Sequence, residues 1–305
     1  MTSTTAFLRA AESLRQWLTE EALPLAATAM RDPEGGYFED LTLTGEPRRE
    51  QIRRVRVQPR QAYVFAHAHV LGWHKDARAL SDHGFDYLLA KAACGDPFST
   101  ENFQGFVHRL NADGSISDPM RDTYDHAFVL LACAWRIRAF DCERSRDVAS
   151  ATLACLDRDC GQPDGSFLEG QPAALPRRQN PHMHLFEAFL ALGTATNDER
   201  LIDRAAKIYG LFKEQFIREE TGTLKEFFAP DWSPDPEKGH LIEPGHMMEW
   251  CWLLDEYSQI TGIDLGDVID RLYPTAEKYG LDQDSGFLMD YASLDAQSPA
   301  PQTRR

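Results

Sequence analysis

RRQNPHMHLFEAFLAL, Arg177 to Leu192, is the stretch on which the fold turns. Asn180-Pro181 reads as a helix start. Asn caps, and Pro at the first helical position gives up an N–H that has no helical partner there. Leu185, Phe186, Phe189, Leu190 and Leu192 then recur at the three- and four-residue spacing of an apolar helix face. Two histidines, His182 and His184, and a carboxylate, Glu187, stand just inside that start. His184 and Glu187 are three apart, so they share a face near the helix mouth. The unit returns in EPGHMMEWCWLL, Glu243 to Leu254, where His246 and Glu249 keep the HxxE spacing after another proline-bearing entry.

Outward from these two helices the same spacing predicts others, at 5–27, 59–75, 77–91, 121–140, 145–156, 198–217 and 265–278, with 181–194 and 245–261 holding the HxxE units. Short glycine-led pieces separate them: GGYFEDL from Gly35, GFVHRL from Gly105, GSFLEG from Gly165, GTLKEF from Gly222 and GFLMD from Gly286. A period of about sixty residues accommodates two helices and a connection. The expected fold is all-α: a single domain over 1–305, a ring of helical hairpins of the α/α-barrel kind, with the glycine-led loops on one rim. Nine helices do not close such a ring. The polar tail SLDAQSPAPQTRR reads like a loop ahead of a further helix. The last hairpins are therefore expected to be missing, with 290–305 a disordered tail and apolar hairpin edges left uncovered.

Net charge is −16, from 32 basic and 48 acidic residues, which argues against nucleic acid and anionic membrane as partners. No apolar run approaches a membrane span, and MTSTTAFLRAAESLRQWL lacks the basic-then-apolar plan of an export signal. The six cysteines form no CxxC pair, and Cys133 and Cys251 lie in apolar helical stretches. They read as reduced thiols of a cytoplasmic protein.

The HxxE units admit three readings. A histidine at a helix start can be a capped or solvated residue. His and Glu can also hold a metal, but HExxH is absent, and Glu237–His240 and Glu243–His246 each cross a glycine outside a helix body. Neutral histidines can accept and return protons near neutral pH. The acid–base reading calls for no metal and no cofactor. In RVRVQPRQAYVFAHA, Arg60 stands at a helix start, where a guanidinium can stabilise a developing oxyanion. In RDTYDHAFVLLACAW, Tyr124 faces the same rim, while Asp125 and His126 cap the helix or meet the next loop. Of Trp73, Trp232, Trp250 and Trp252, most belong to the core, and we assign Trp250 to substrate contact.

QPRQAYVFA, DTYDHAFVLLACA, NPHMHLFEAFLAL and EPGHMMEWCWLL together resemble the N-acylglucosamine 2-epimerase superfamily, in the family's order and over nearly the whole chain. The resemblance implies an (α/α)6 barrel, monomeric or homodimeric, acting on a small sugar. It implies metal-free histidine chemistry through a cis-enediolate, giving a ketose or a 2-epimer. The mannose–fructose isomerases are the nearer match in texture. The resemblance gives Arg60 the enediolate oxygens, His184 and His246 the proton transfers and Asn180 substrate binding. Glu249 would orient His246 and bind hydroxyls, and Tyr124 would line the pocket. The family's further catalytic histidine, on a later helix, has no match here; His182 and His240 are the substitutes within reach. Two other classes compete. An inverting glycoside hydrolase would draft two of Asp122, Asp125, Glu226 and Glu243, though no spacing marks a pair. A non-catalytic sugar-binding relative would bind without turnover.

Overall fold

The computed structural model describes residues 3–295, in two compact units, Met1–Cys155 and Leu156–Arg305. In the first, α1 (Ser3–Trp17) passes through a π turn, Leu18–Ala22, into α2 (Leu23–Thr28). The expected single helix over 5–27 is interrupted because Pro24 has no N–H to give, and the Leu23 N–H reaches back to the Leu18 carbonyl. α1 is exposed from Thr5 to Trp17, including Phe7. α3 (Val57–Val70) packs on α4 (Ala77–Lys91) and on α5 (Thr123–Phe140). α5 is buried on nearly every side, as its almost unbroken apolar run requires. It begins at Thr123 rather than 121, because Asp122 is extended and its Oδ1 accepts the Tyr124 N–H at 2.8 Å. α6 (Glu143–Asp159) carries the chain into the second unit.

There α7 (Asn180–Thr196) pairs with α8 (Glu199–Leu211), and α9 (Pro244–Thr261) with α10 (Gly266–Gly280). Asp198 caps α8, and the helix expected over 198–217 ends in a second π turn, Phe212–Phe216. Asp141 and Asn197 end α5 and α7 in the left-handed conformation that short polar side chains tolerate. The core of the first unit gathers Leu23, Tyr37, Phe65, Ala68 and Leu80, with Trp73 against it. In the second, Trp250 lies between Phe212, at 4.4 Å between ring centroids, and Phe186, at 5.3 Å. Burying each such ring is worth roughly 1.5–3 kcal/mol.

The glycine-led pieces are tight loops, each closed by a bridge from its apolar residue: Arg31–Tyr37, Ala93–Phe106, Gly161–Phe167, Ile217–Leu224 and Leu281–Leu288. Two-residue strands stand ahead of α3, α7 and α9. Arg53–Arg54 pairs with Arg109–Leu110, Arg177–Arg178 with Phe227–Phe228, and Leu241–Ile242 with Ala292–Ser293. The last pairing shows that the tail expected to be disordered from 290 contains a strand; 296–305 lie outside the described residues. In three repeats the side chain four residues past the end of the strand, at Arg54, Asp122 (of the strand Arg121–Asp122) and Arg178, clamps the loop. Gln58 Oε1 accepts the Tyr37 N–H at 2.8 Å, His126 Nε2 the Phe106 N–H at 3.0 Å and His182 Nε2 the Phe167 N–H at 3.0 Å. Gly105, at φ +99°, is what lets His126 in: a Cβ there would stand 2.8 Å from its Nε2.

Candidate active site

The second unit holds five of the residues singled out in the sequence: Asn180, His184, His246, Glu249 and Trp250. His184 is 8% exposed on α7, and its Nδ1 lies 2.9 Å from Glu187 Oε2, so the HxxE spacing is a hydrogen bond. That bond fixes the ring and places a proton on Nδ1. Its Nε2 looks toward Glu249, whose Oε2 is 3.8 Å away, too far for a hydrogen bond. Glu249 therefore stands beside His184, and the orienting role expected of it at His246 falls to other carboxylates. His246 Nδ1 is 2.9 Å from Glu226 Oε2, and its Nε2 is 3.3 Å from Glu243 Oε2. Burial opposes a charge on this ring, but the Glu226 carboxylate, then Glu243 and Glu249, push it up to about 9.

Glu226, 1% exposed, is itself fixed from behind. The Trp250 indole N–H donates to Gln179 Oε1 at 2.8 Å, which sets the amide so that Gln179 Nε2 donates to Glu226 Oε2 at 2.8 Å. An indole N–H can only donate, so the polarity of this chain has one solution. Trp250 is fully buried. The substrate contact assigned to it is thereby replaced by a packing and hydrogen-bonding role beneath the site.

His182, two residues from His184, does none of this. It is fully buried, its Nδ1 is 3.0 Å from the Arg178 carbonyl, and its Nε2 holds the Phe167 amide. Burial lowers it to about 4. Its Nε2 accepts the Phe167 N–H, so the ring is neutral and has no acidic proton to give. His240 is half-buried outside the helices, and its carbonyl accepts the Leu294 N–H.

The first unit holds Arg60 and Tyr124. Arg60 is exposed at the start of α3, its guanidinium 4.3 Å over the Phe128 ring, and no ion pair involves it among the described residues. Tyr124 is buried at the start of α5, with the Arg56 guanidinium 4.6 Å over its ring. Arg56 reaches Asp125 at 3.2 Å, and Asp125 also meets His108 Nδ1 at 2.7 Å. This buried His108–Asp125–Arg56 cluster was not legible, because its members come from three separate segments. Glu226 was visible only as one acid among several, although aligned glycine-led loops put Glu39, His108, Glu169, Glu226 and Asp290 at one position.

His108, Asp122 and Asp125, and again Glu226, Glu243 and His246, bring donor atoms within 4.8 Å of one another. In the second group each imidazole nitrogen already faces a carboxylate. Nδ1 faces Glu226 at 2.9 Å and Nε2 faces Glu243 at 3.3 Å. In the first, Asp125 is shared between His108 and Arg56.

The profile of the N-acylglucosamine 2-epimerase (GlcNAc 2-epimerase) family matches residues 36–305, and the chain belongs to that family. It is 40% identical over 279 residues to a mannose-6-phosphate isomerase of Rhizobium meliloti (strain 1021), covering 88% of this chain and 70% of that one. It is 33% identical over 258 residues to a D-mannose isomerase of Thermobifida fusca, covering 79% of this chain and 61% of the relative. Among solved structures, the cellobiose 2-epimerase of Spirochaeta thermophila DSM 6192 superposes with a TM-score of 0.84 at 21% identity, over 100% of this chain and 78% of that chain. The fold is the (α/α)6-barrel kind of these enzymes. All six cysteines are free, and among the described residues no helix is long and apolar enough to cross a membrane.

Proposed function

We propose that the protein is an aldose–ketose isomerase of the mannose–fructose type, an enzyme acting on a small sugar by histidine acid–base chemistry. The observation that carries the reading is the pair of unlike histidines: His184, with Nδ1 bonded to Glu187, and His246, flanked by Glu226 and Glu243. The mannose isomerases among its relatives support the sugar.

In the reaction, the opened aldose has a C2 proton made acidic by the C1 carbonyl. His184 Nε2 takes it. The C–H electrons form the C1=C2 bond, and the carbonyl electrons move onto O1. His246, entering as an imidazolium, donates to O1. His184 then returns its proton to C1, and His246 recovers one from O2 as the C2 carbonyl forms. Atoms and charge balance, and the enzyme ends as it began. Arg60 is assigned to the enediolate oxygens on the family resemblance, with Tyr124 as a pocket residue. Asn180 and Glu249 are assigned to hydroxyls. The Asn180 side-chain oxygen has no partner among the described residues, which suits a sugar O–H. Return of the proton to the other face of C2 would give the epimer through the same intermediate.

The test is proton NMR in D2O with D-mannose and, separately, its 6-phosphate. Fructose or its phosphate, with deuterium entering at carbon, supports the isomerase. Deuterium at C2 with glucose stereochemistry supports the epimerase. Absence of exchange with either sugar, in folded protein, would refute the proposal.

A further inference from the structure

The repeats show what is peculiar about Glu226. Two residues past the bridged apolar residue of its loop, Glu39 and Glu169 each meet the arginine that ends the facing strand. Glu39 accepts the Arg54 backbone N–H at 2.7 Å and pairs with its guanidinium; Glu169 does the same to Arg178, at 2.6 Å for both bonds. In the fourth loop the strand ends in Ile242, which is apolar. The carboxylate has lost its arginine. Four residues on, where Gln58, His126 and His182 clamp their loops, stands His246, and Glu226 meets it instead.

From this exchange of partners, and from the Trp250–Gln179–Glu226 chain behind it, we propose that Glu226 is a positioning residue that holds His246 in place and protonated for proton donation. The inference rests on the isomerase reading, in which His246 is the acid. Glu226 is 1% exposed and acts through the ring. The charged groups facing His246 are Glu226 from the loop, Glu243 at the entry to its helix and Glu249 within it; the Gln179 amide nitrogen lies 3.1 Å from its Nδ1, and Arg218 lies within electrostatic reach of Glu226. Of the two carboxylates in direct contact, Glu226 is the nearer, and the Gln179 amide pins it from behind.

The experiment is an NMR titration of the His246 imidazole in the full chain, as wild type, Glu226→Gln and Glu226→Asp, with kcat and KM for mannose measured across pH. In the wild type the ring should remain protonated beyond pH 8. In Glu226→Gln its midpoint should fall by about one pH unit or more, a tenfold loss of proton affinity. The kcat should fall about tenfold or more with KM within about threefold, because an acid is lost and not a substrate contact. Glu226→Asp, which keeps the charge, should recover much of both. A wild-type midpoint below 7, which needs no variant, overturns the proposal. So does a midpoint unmoved in Glu226→Gln. If the midpoint moves as expected but no sugar exchanges its C2 proton, the isomerase reading fails while the hold of Glu226 on His246 stands.

Discussion

The mouths of α7 and α9 place a histidine four residues past a two-residue strand, and bury both completely or nearly so. His182 is fully buried and His246 is 3% exposed. One is pulled down to about 4, the other pushed up to about 9. Burial acts in the same direction on both, so burial does not decide the difference. The partner does. His182 faces a backbone N–H, which wants a lone pair and therefore a neutral ring. His246 faces carboxylates on both sides, which want protons. A loop clamp and the proposed acid occupy the same address in successive repeats, and the residue across the gap determines which it is.

The largest test of this contrast lies on α7, where the clamping histidine and the proposed reactive one are two residues apart. His184→Asn should cut C2 proton exchange roughly a thousandfold. His182→Gln, which substitutes the clamp used by Gln58, should leave exchange within about threefold. Parallel NMR assays of the two variants decide it, and equal losses would erase the distinction.

Stability against pH separates the two mouths in opposite directions. The folded His246 value of about 9 lies above the ordinary 6.5, so its stabilisation is complete below pH 6.5 and lost as pH rises through 9. The folded His182 value of about 4 lies below 6.5, so its contribution is present above pH 6.5 and lost as pH falls toward 4. Each window spans roughly 3 kcal/mol, read as an order of magnitude. Urea unfolding from pH 4 to 9 should show decline on both flanks. His182→Gln should flatten the acid flank and His246→Asn the alkaline one.

A smaller effect concerns the clamp itself. His182→Ala leaves the buried Phe167 N–H without its acceptor and should cost about 2 kcal/mol beyond His182→Gln, as measured by chemical denaturation. A gap near zero would mean that the loop amide finds another partner. Smallest is Trp250→Phe. It keeps most of the ring packing and removes only the N–H to Gln179, about 1 kcal/mol, with a modest lowering of the His246 midpoint as the amide loosens.

Much of this was legible beforehand because it is local. The apolar spacing of 181–194 and 245–261 predicts α7 and α9 within a residue or two, and the HxxE spacing at His184 and Glu187 becomes a real hydrogen bond. His126 does meet the neighbouring loop. What the sequence concealed is long in range. Glu226 reaches His246 across twenty residues, and Gln179 reaches Trp250 across seventy-one; no helical period links either pair. The second HxxE unit misled for a physical reason. His246 turns to Glu226 on the neighbouring loop and to Glu243 at the helix entry, so Glu249 faces His184 instead. The π turns at Leu18–Ala22 and Phe212–Phe216 were hidden because they keep the apolar spacing of an ordinary helix and change only which carbonyl each N–H reaches.

The loop clamps carry one more consequence, for the cost of recognition. Tyr37, Phe106 and Phe167 are each held through the backbone amide by a buried side chain, and their rings are packed away from solvent. Freezing a backbone residue costs about 1–2 kcal/mol of conformational entropy. Here that ordering is completed once, as the chain folds. Each loop therefore has little freedom left to lose, and a ligand that met it would spend its affinity on contacts rather than on stilling the protein.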